Sequence, residues 1–271
     1  MQPTSDQQPV LRALGVAIRF GGVAALRGVD LIVPRGAIVS LIGPNGAGKT
    51  TLFNLLTGEY QPSQGEIWLG GVCIAGPSRR SRRPIRPNEV TTLGVGRTFQ
   101  NIRIFGQMTA LENVLVGMHC RLSSRWWDAA LRTPRFLREE RDATARAREL
   151  LALVGLVERA DDWARSLPYG EQRRLELARA LATEPVILLL DEPTAGMNPG
   201  ETMAMTAFIS NIRDRLGLTI LLIEHDMRVV MRISERITVL DFGKVIAEGT
   251  PEEIRADPGV IAAYLGSSMA H

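Results

Sequence analysis

The chain has 271 residues, 45% of them hydrophobic and 23% charged, with a formal net charge of +3. That is an ordinary soluble composition, long enough for one large domain or a core with a subdomain. The charge balance gives no support to a nucleic-acid partner, no apolar run reaches the ~18 residues of a membrane span, and Cys73 and Cys120 have no ligand-like spacing and read as reduced structural thiols.

Met1 to Pro9 is polar, lacks an apolar signal segment and reads as a loose tail (residues 1–10) on a cytoplasmic protein. Leu11 to Phe20 and Leu26 to Val33 have strand character, with a turn at Gly21-Gly22, and Pro34-Arg35-Gly36 is a further turn. Ala37 to Ile42 is an apolar, β-branched run of the kind a buried strand uses. It leads into Gly43-Pro44-Asn45-Gly46-Ala47-Gly48-Lys49-Thr50, which has the G-x-x-x-x-G-K-[ST] spacing of a phosphate-binding loop. Glycines let successive N–H groups turn toward phosphate oxygens at the positive end of the following helix, here Thr50 to Leu56. Lys49 is one of only two lysines among thirty-two basic residues. A compact ammonium reaches between phosphates where a planar guanidinium fits less well. The Thr50 hydroxyl is placed to ligate Mg²⁺, with Thr51 beside it.

Glu66 to Leu69 and Val72 to Ile74 read as a hairpin around Gly70-Gly71, and residues 76–91, rich in Pro and Arg, as a surface loop. Gln100 ends a short strand, where its neutral amide is placed to sense Mg²⁺ or water. Thr109 to Met118 and Arg135 to Val154 are helical, the second with a clear apolar stripe. Another helix starts near Glu171 and runs to Ala182, and its beginning is a second anion-seeking helix start. Val186 to Leu190 is a buried strand that delivers Asp191 and Glu192 to its carboxyl end, where open α/β sheets bind ligands. An Asp there holds Mg²⁺, and the adjacent Glu polarises a water for attack on a γ-phosphate. Thr219 to Ile223 carries His225 to the same edge, in position for a γ-phosphate contact, and Ile237 to Leu240 and Val245 to Ala247 close the sheet.

Together these residues resemble the ATP-binding cassette (ABC) family, whose motifs stand here in order: the loop 43–50, Gln100, the signature segment Leu167-Pro168-Tyr169-Gly170-Glu171-Gln172-Arg173-Arg174, Asp191-Glu192, the turn 195–198 and His225. The resemblance implies an α/β fold: a RecA-like phosphate-loop ATPase core with a mostly parallel sheet (11–98 and 170–250), an antiparallel β subdomain, an inserted helical signature subdomain (99–169) and a C-terminal helical extension (251–271). It implies ATP and Mg²⁺ as ligands, and Phe20 as the aromatic that stacks on adenine. It also implies a head-to-tail homo- or heterodimer in which Tyr169, Gly170 and Glu171 meet the partner's nucleotide. At finer scale Arg97-Thr98-Phe99-Gln100-Asn101-Ile102-Arg103, Ala195-Gly196-Met197-Asn198-Pro199, 223–230 and 263–266 resemble the ATPase subunits of branched-chain amino acid importers. That subgroup works peripherally on the inner face of the membrane, with integral permease subunits and, indirectly, a periplasmic solute-binding protein. ATPases of urea or amide import and of lipopolysaccharide export look similar. Pro168 departs from the family's usual Ser, having neither hydroxyl nor N–H to offer across a dimer.

Overall fold

The computed structural model describes residues 9–79, 83–122, 127–128 and 131–268. The expected tail through residue 8, the middle of the arginine-rich loop (80–82) and the last three residues lie outside the described residues.

Two sheets organise the chain. The first is antiparallel, in the order β2-β1-β4-β5, from β1 (Leu11–Phe20), β2 (Val23–Val33), β4 (Gln64–Leu69) and β5 (Val72–Ala75). Buried and open positions interchange along β1 and β2, as in a sheet with one face on the core. The second has the order β10-β9-β3-β8-β7-β6, from β3 (Ile38–Ile42), β6 (Val95–Arg97), β7 (Ile187–Asp191), β8 (Thr219–Ile223), β9 (Arg236–Asp241) and β10 (Lys244–Gly249). Its ladders are parallel except for β9 with β10. Every residue of β3, β7 and β8 is buried, which explains why these strands read as unbroken apolar runs.

Register fixes the site. Leu41 of β3 and Asp191 of β7 both pair with Ile223 of β8. The phosphate loop, the two carboxylates and His225 therefore leave one sheet edge at the same level, the edge where α/β sheets bind ligands. The loop feeds α1 (Lys49–Leu56). Between β6 and β7 stand α3 (Ala110–Met118), α4 (Pro134–Leu153) and α5 (Tyr169–Leu181), packed around Val114, Leu151 and Leu175. After β7 come α6 (Pro199–Leu216) and α7 (Met227–Ile233), then α8 (Pro251–Ala256) and α9 (Pro258–Ser268). Ile254, Val260 and Tyr264 of the last two helices pack with Ile42 of β3 and Val230 of α7.

Two local expectations need correction. The stretch 76–91 is not all loop: α2 (Pro87–Thr92) forms inside it, with Pro87 in the first turn and the Glu89 carboxylate accepting from the Arg86 N–H. Gln100 does not end a strand. β6 stops at Arg97, the Thr98 N–H still donates to the Leu189 carbonyl, and Gln100 stands in the irregular segment beyond.

Candidate functional site

The phosphate loop is shaped by what its glycines exclude. A Cβ on Gly43 would lie 2.0 Å from the Leu240 carbonyl oxygen, and one on Gly48 2.7 Å from a Leu26 methyl and 2.8 Å from the Ala25 oxygen. Gly46, at φ +80°, has open space around it but a backbone that side chains rarely adopt. The Gly243 N–H donates to the Ala47 oxygen, which ties the loop to the β9–β10 turn. Pro44 is half-buried, Asn45 and Gly46 are exposed, and Ala47 is buried. Lys49 folds over the loop, its Nζ donating to the Gly43 carbonyl at 2.7 Å and the Pro44 carbonyl at 3.0 Å. Burial holds this ammonium below its usual pKa, opposed by the negative charges of Glu192 and Asp191. Thr50 and Thr51 stand in the first turn of α1, the first exposed and the second half-buried. That turn keeps N–H groups without intrahelical acceptors, so the cradle fits a chain of phosphates.

The carboxylates have different surroundings. Asp191 is buried, and burial pushes its pKa up against the Arg97 guanidinium, whose Nη2 lies 3.3 Å from its Oδ2. Arg97 also donates to Asn54 at 2.8 Å, so the carboxylate is braced from α1. Its plane lies over the Phe99 ring, 4.9 Å from the centroid. Glu192 is partly open and sits at φ +48°, in the left-handed region. For a residue other than glycine that conformation costs about 1 kcal/mol or more and marks a functional turn. Gln100 Nε2 donates to Glu192 Oε2 at 2.9 Å, and His225 Nδ1 lies 3.6 Å from the same oxygen. The second distance is too long for a direct hydrogen bond. Gln100, Glu192 and His225, which come from three separate loops, thus converge on one oxygen.

Asp191 and Thr50 offer oxygen donors of the hard kind that Mg²⁺ takes. Among the described residues no three His, Cys, Asp or Glu side chains gather as a protein-only metal cage. Phe20 is not a core residue: it is half-exposed and meets Tyr60 edge to face, with centroids 5.2 Å apart. Tyr169, Gly170 and Glu171 form the first turn of α5. Among the described residues no hydrogen bond or ion pair joins them to the phosphate loop of their own chain.

Sequence reasoning gave no role to Arg97, Arg173 or Glu224. Glu224 is 1% exposed and accepts from the Thr194 N–H and hydroxyl at 3.0 and 2.6 Å and from the His225 N–H at 3.2 Å. It ties the loop after Glu192 to the loop of His225. Arg173, 5% exposed, donates to the carbonyls of Phe99 and Gln100. For Glu224, a charge set directly after the apolar run 220–223 was the available signal.

A phosphate cradle on the central strand, a carboxylate pair two strands away and a polar triad between them define a nucleotide-binding ATPase. The family model described as ABC transporter matches residues 26–195, and the chain belongs to the ATP-binding cassettes of that family. A second model, described as branched-chain amino acid ATP-binding cassette transporter, matches residues 244–270. The chain is 48% identical over 261 residues to the high-affinity branched-chain amino acid transport ATP-binding protein BraF of Pseudomonas aeruginosa, covering 96% of this chain and 99% of the relative. It is 47% identical over 261 residues to LivG of Escherichia coli K12, which carries the same description, with the same coverage. Among solved structures, the ADP conformation of MJ1267, an ATP-binding cassette of an ABC transporter, superimposes with a TM-score of 0.81 at 30% identity, over 96% of this chain and 99% of that one. The dimeric bacterial cassette MJ0796 gives 0.71 at 26% identity, over 89% and 98%.

Proposed function

We propose that this chain is the ATP-hydrolysing subunit of an importer of branched-chain amino acids, working as a dimer of cassettes with integral membrane permeases and, through them, a periplasmic solute-binding protein. The near full-length identity to branched-chain amino acid transport ATP-binding proteins carries the reading. In it, residues 43–50 and Thr51 hold the ATP phosphates, Phe20 stacks on adenine, and Thr50, Asp191 and the Gln100 amide oxygen would hold Mg²⁺, which would supply positive charge against the phosphate oxygens. Glu192 takes the proton of the attacking water as the water oxygen bonds to the γ-phosphorus, while the bond from that phosphorus to the β–γ bridging oxygen breaks and ADP leaves. Gln100 and His225, on the same carboxylate oxygen, keep that carboxylate and the water aligned. Tyr169, Gly170 and Glu171 serve the nucleotide of the partner cassette. In this reading the core gives way to the inserted helices over 99–169 and to the C-terminal extension after 250.

The chain reaches the membrane through its partners in this reading; no described helix is long and apolar enough to cross one. A groove of about 640 Å³ beside β6, lined by Phe99, Arg103, Phe105 and Val116 among others, adjoins the Gln100 segment and suits a permease contact. The test is reconstitution with permeases and binding protein in proteoliposomes. ATPase activity should rise with leucine, isoleucine or valine, and the isolated chain should hydrolyse slowly and ignore them. Stimulation by urea or amides would change the cargo, and outward lipid movement would overturn the importer.

A further inference from the structure

The start of α5 is tied to the catalytic loops by a side-chain network that the phosphate loop does not touch. Tyr169 Oη donates to the Ala195 carbonyl at 2.9 Å and accepts from Arg173 Nη2 at 2.8 Å and Nε at 3.2 Å. One phenol oxygen so spends its donor and both acceptor positions. Arg173 completes the network with its other donors: Nη1 reaches the Phe99 carbonyl at 2.9 Å and Nη2 the Gln100 carbonyl at 2.6 Å. The nearest carboxylate, Glu176, is 3.8 Å away, so this buried guanidinium is satisfied chiefly by main-chain carbonyls rather than by an ion pair. On the far side of each contact lies a residue of the site. Gln100 is itself bonded to Glu192, and the Ala195 N–H donates to the Glu192 carbonyl at 3.1 Å.

We infer that Tyr169 and Arg173 are a pair of positioning residues: they set Gln100 and Glu192 from the first turn of α5, so that what happens at that turn is felt at the hydrolytic carboxylate of the same chain. The inference rests on the ATPase reading above. It adds to that reading a physical connection within one chain between the helix start that faces outward and the site that does the chemistry. The turn is held on two sides, by Arg173 at the loop after β6 and by Tyr169 at the loop after β7. A displacement of the turn by a ligand or partner cannot leave both loops where they are, because each bond is short and each group has its hydrogen-bonding capacity used.

Tyr169→Phe is the clean variant, because it deletes one oxygen from a half-exposed ring and keeps the ring's packing. Arg173→Lys keeps the charge but cannot span two carbonyls and a phenol. Amide hydrogen exchange on the full-length, nucleotide-free chain reads the connection directly. Tyr169→Phe should raise exchange about tenfold at 192–198, and Arg173→Lys should do so at 98–105, with the other strands of the sheet unchanged. Unchanged exchange in both segments would overturn the inference whatever the enzyme does. ATPase kinetics supply the second arm. Each variant should lower kcat about tenfold, the scale of one lost hydrogen bond, and leave the KM for ATP within about twofold. Arg173→Lys should add less than about twofold in a Gln100→Ala background, since it acts through Gln100. A full independent loss in that background, or a raised KM with kcat intact, would also overturn it. Loosened loops in a chain that shows no ATPase activity at all would uphold the connection and remove the ATPase reading.

Discussion

Two helix starts in this chain are suited to anions, and they are built in opposite ways. The start of α1 is closed by backbone: Gly43 and Gly48 are packed against main-chain oxygens, and Lys49 is folded onto the loop's own carbonyls. The start of α5 is open. Gly170 has nothing within 4 Å of where a Cβ would stand, Tyr169 is half-exposed, and no side chain caps the helix. One is a finished pocket whose shape is steric. The other is a surface held in place by distant side chains, which suits the half-site proposed for it.

The largest effect should come from taking the charge out of the closed start. Lys49→Ala should weaken ATP binding about a hundredfold or more, since the ammonium is the fixed cation of a partly buried cradle. Titration with a fluorescent nucleotide checks it, and retained affinity would remove Lys49 from the site. The next contrast sets two glycines against each other. Gly43→Ala drives a methyl into the Leu240 carbonyl and should destabilise the fold by on the order of 3 kcal/mol. Gly170→Ala meets nothing and lies inside a helix, so it should leave thermal stability equal or raise it by about 0.5–1 kcal/mol. Its hydrolysis in the assembled dimer should nevertheless fall about tenfold, because in the proposed dimer the new methyl would stand between the helix start and the partner's phosphates. Equal melting temperatures for the two variants, or full activity in the second, would erase the distinction.

Smaller effects sharpen the open start. Pro168→Ser supplies the hydroxyl cap that α5 lacks, worth about 1 kcal/mol of helix stability, and should keep or raise ATPase activity. A severe drop would mean that the proline's fixed φ sets the turn. Glu176 lies one turn below, where burial holds its carboxyl above the usual pKa despite the Arg103 N–H and the Arg173 charge. A raised folded pKa means stability that is full below the ordinary carboxylate range and lost as pH rises through the raised value. Glu176→Gln cannot ionise, so its melting temperature relative to the parent should climb from about pH 4 upward and then level off. A flat difference would show that the neighbouring arginines offset burial.

Much of the site was legible because its chemistry is local. The spacing of Gly43, Gly48, Lys49 and Thr50 points to a loop shape by itself, and Asp191-Glu192 and His225 follow short apolar runs of the kind that buried strands use. Even so, α6 was not delimited in advance. Its buried face, Met205, Thr206, Ile209 and Ile212, includes a threonine, while Met203 points outward, so the apolar stripe is blurred. Its caps, Asn198 with Glu201 at one end and Gly217 at the other, were the better signal. The short α2 was hidden for a related reason, because six residues are too few to show a helical period.

What the chain's order alone determined was the kind of chemistry: which segments are buried strands, where the glycine-rich loop and its lysine stand, which acids stand at a strand's carboxyl end. What only the tertiary structure decided was who stands next to whom. Strand order and register bring Gln100, Glu192 and His225 to one oxygen, and place Arg97 on Asp191, Glu224 between two loops, and Tyr169 and Arg173 across two more. The reason is physical: periodicity and motif spacing report on neighbours a few residues apart, whereas these contacts join residues 26 to 94 positions apart, and only the folded sheet makes them adjacent.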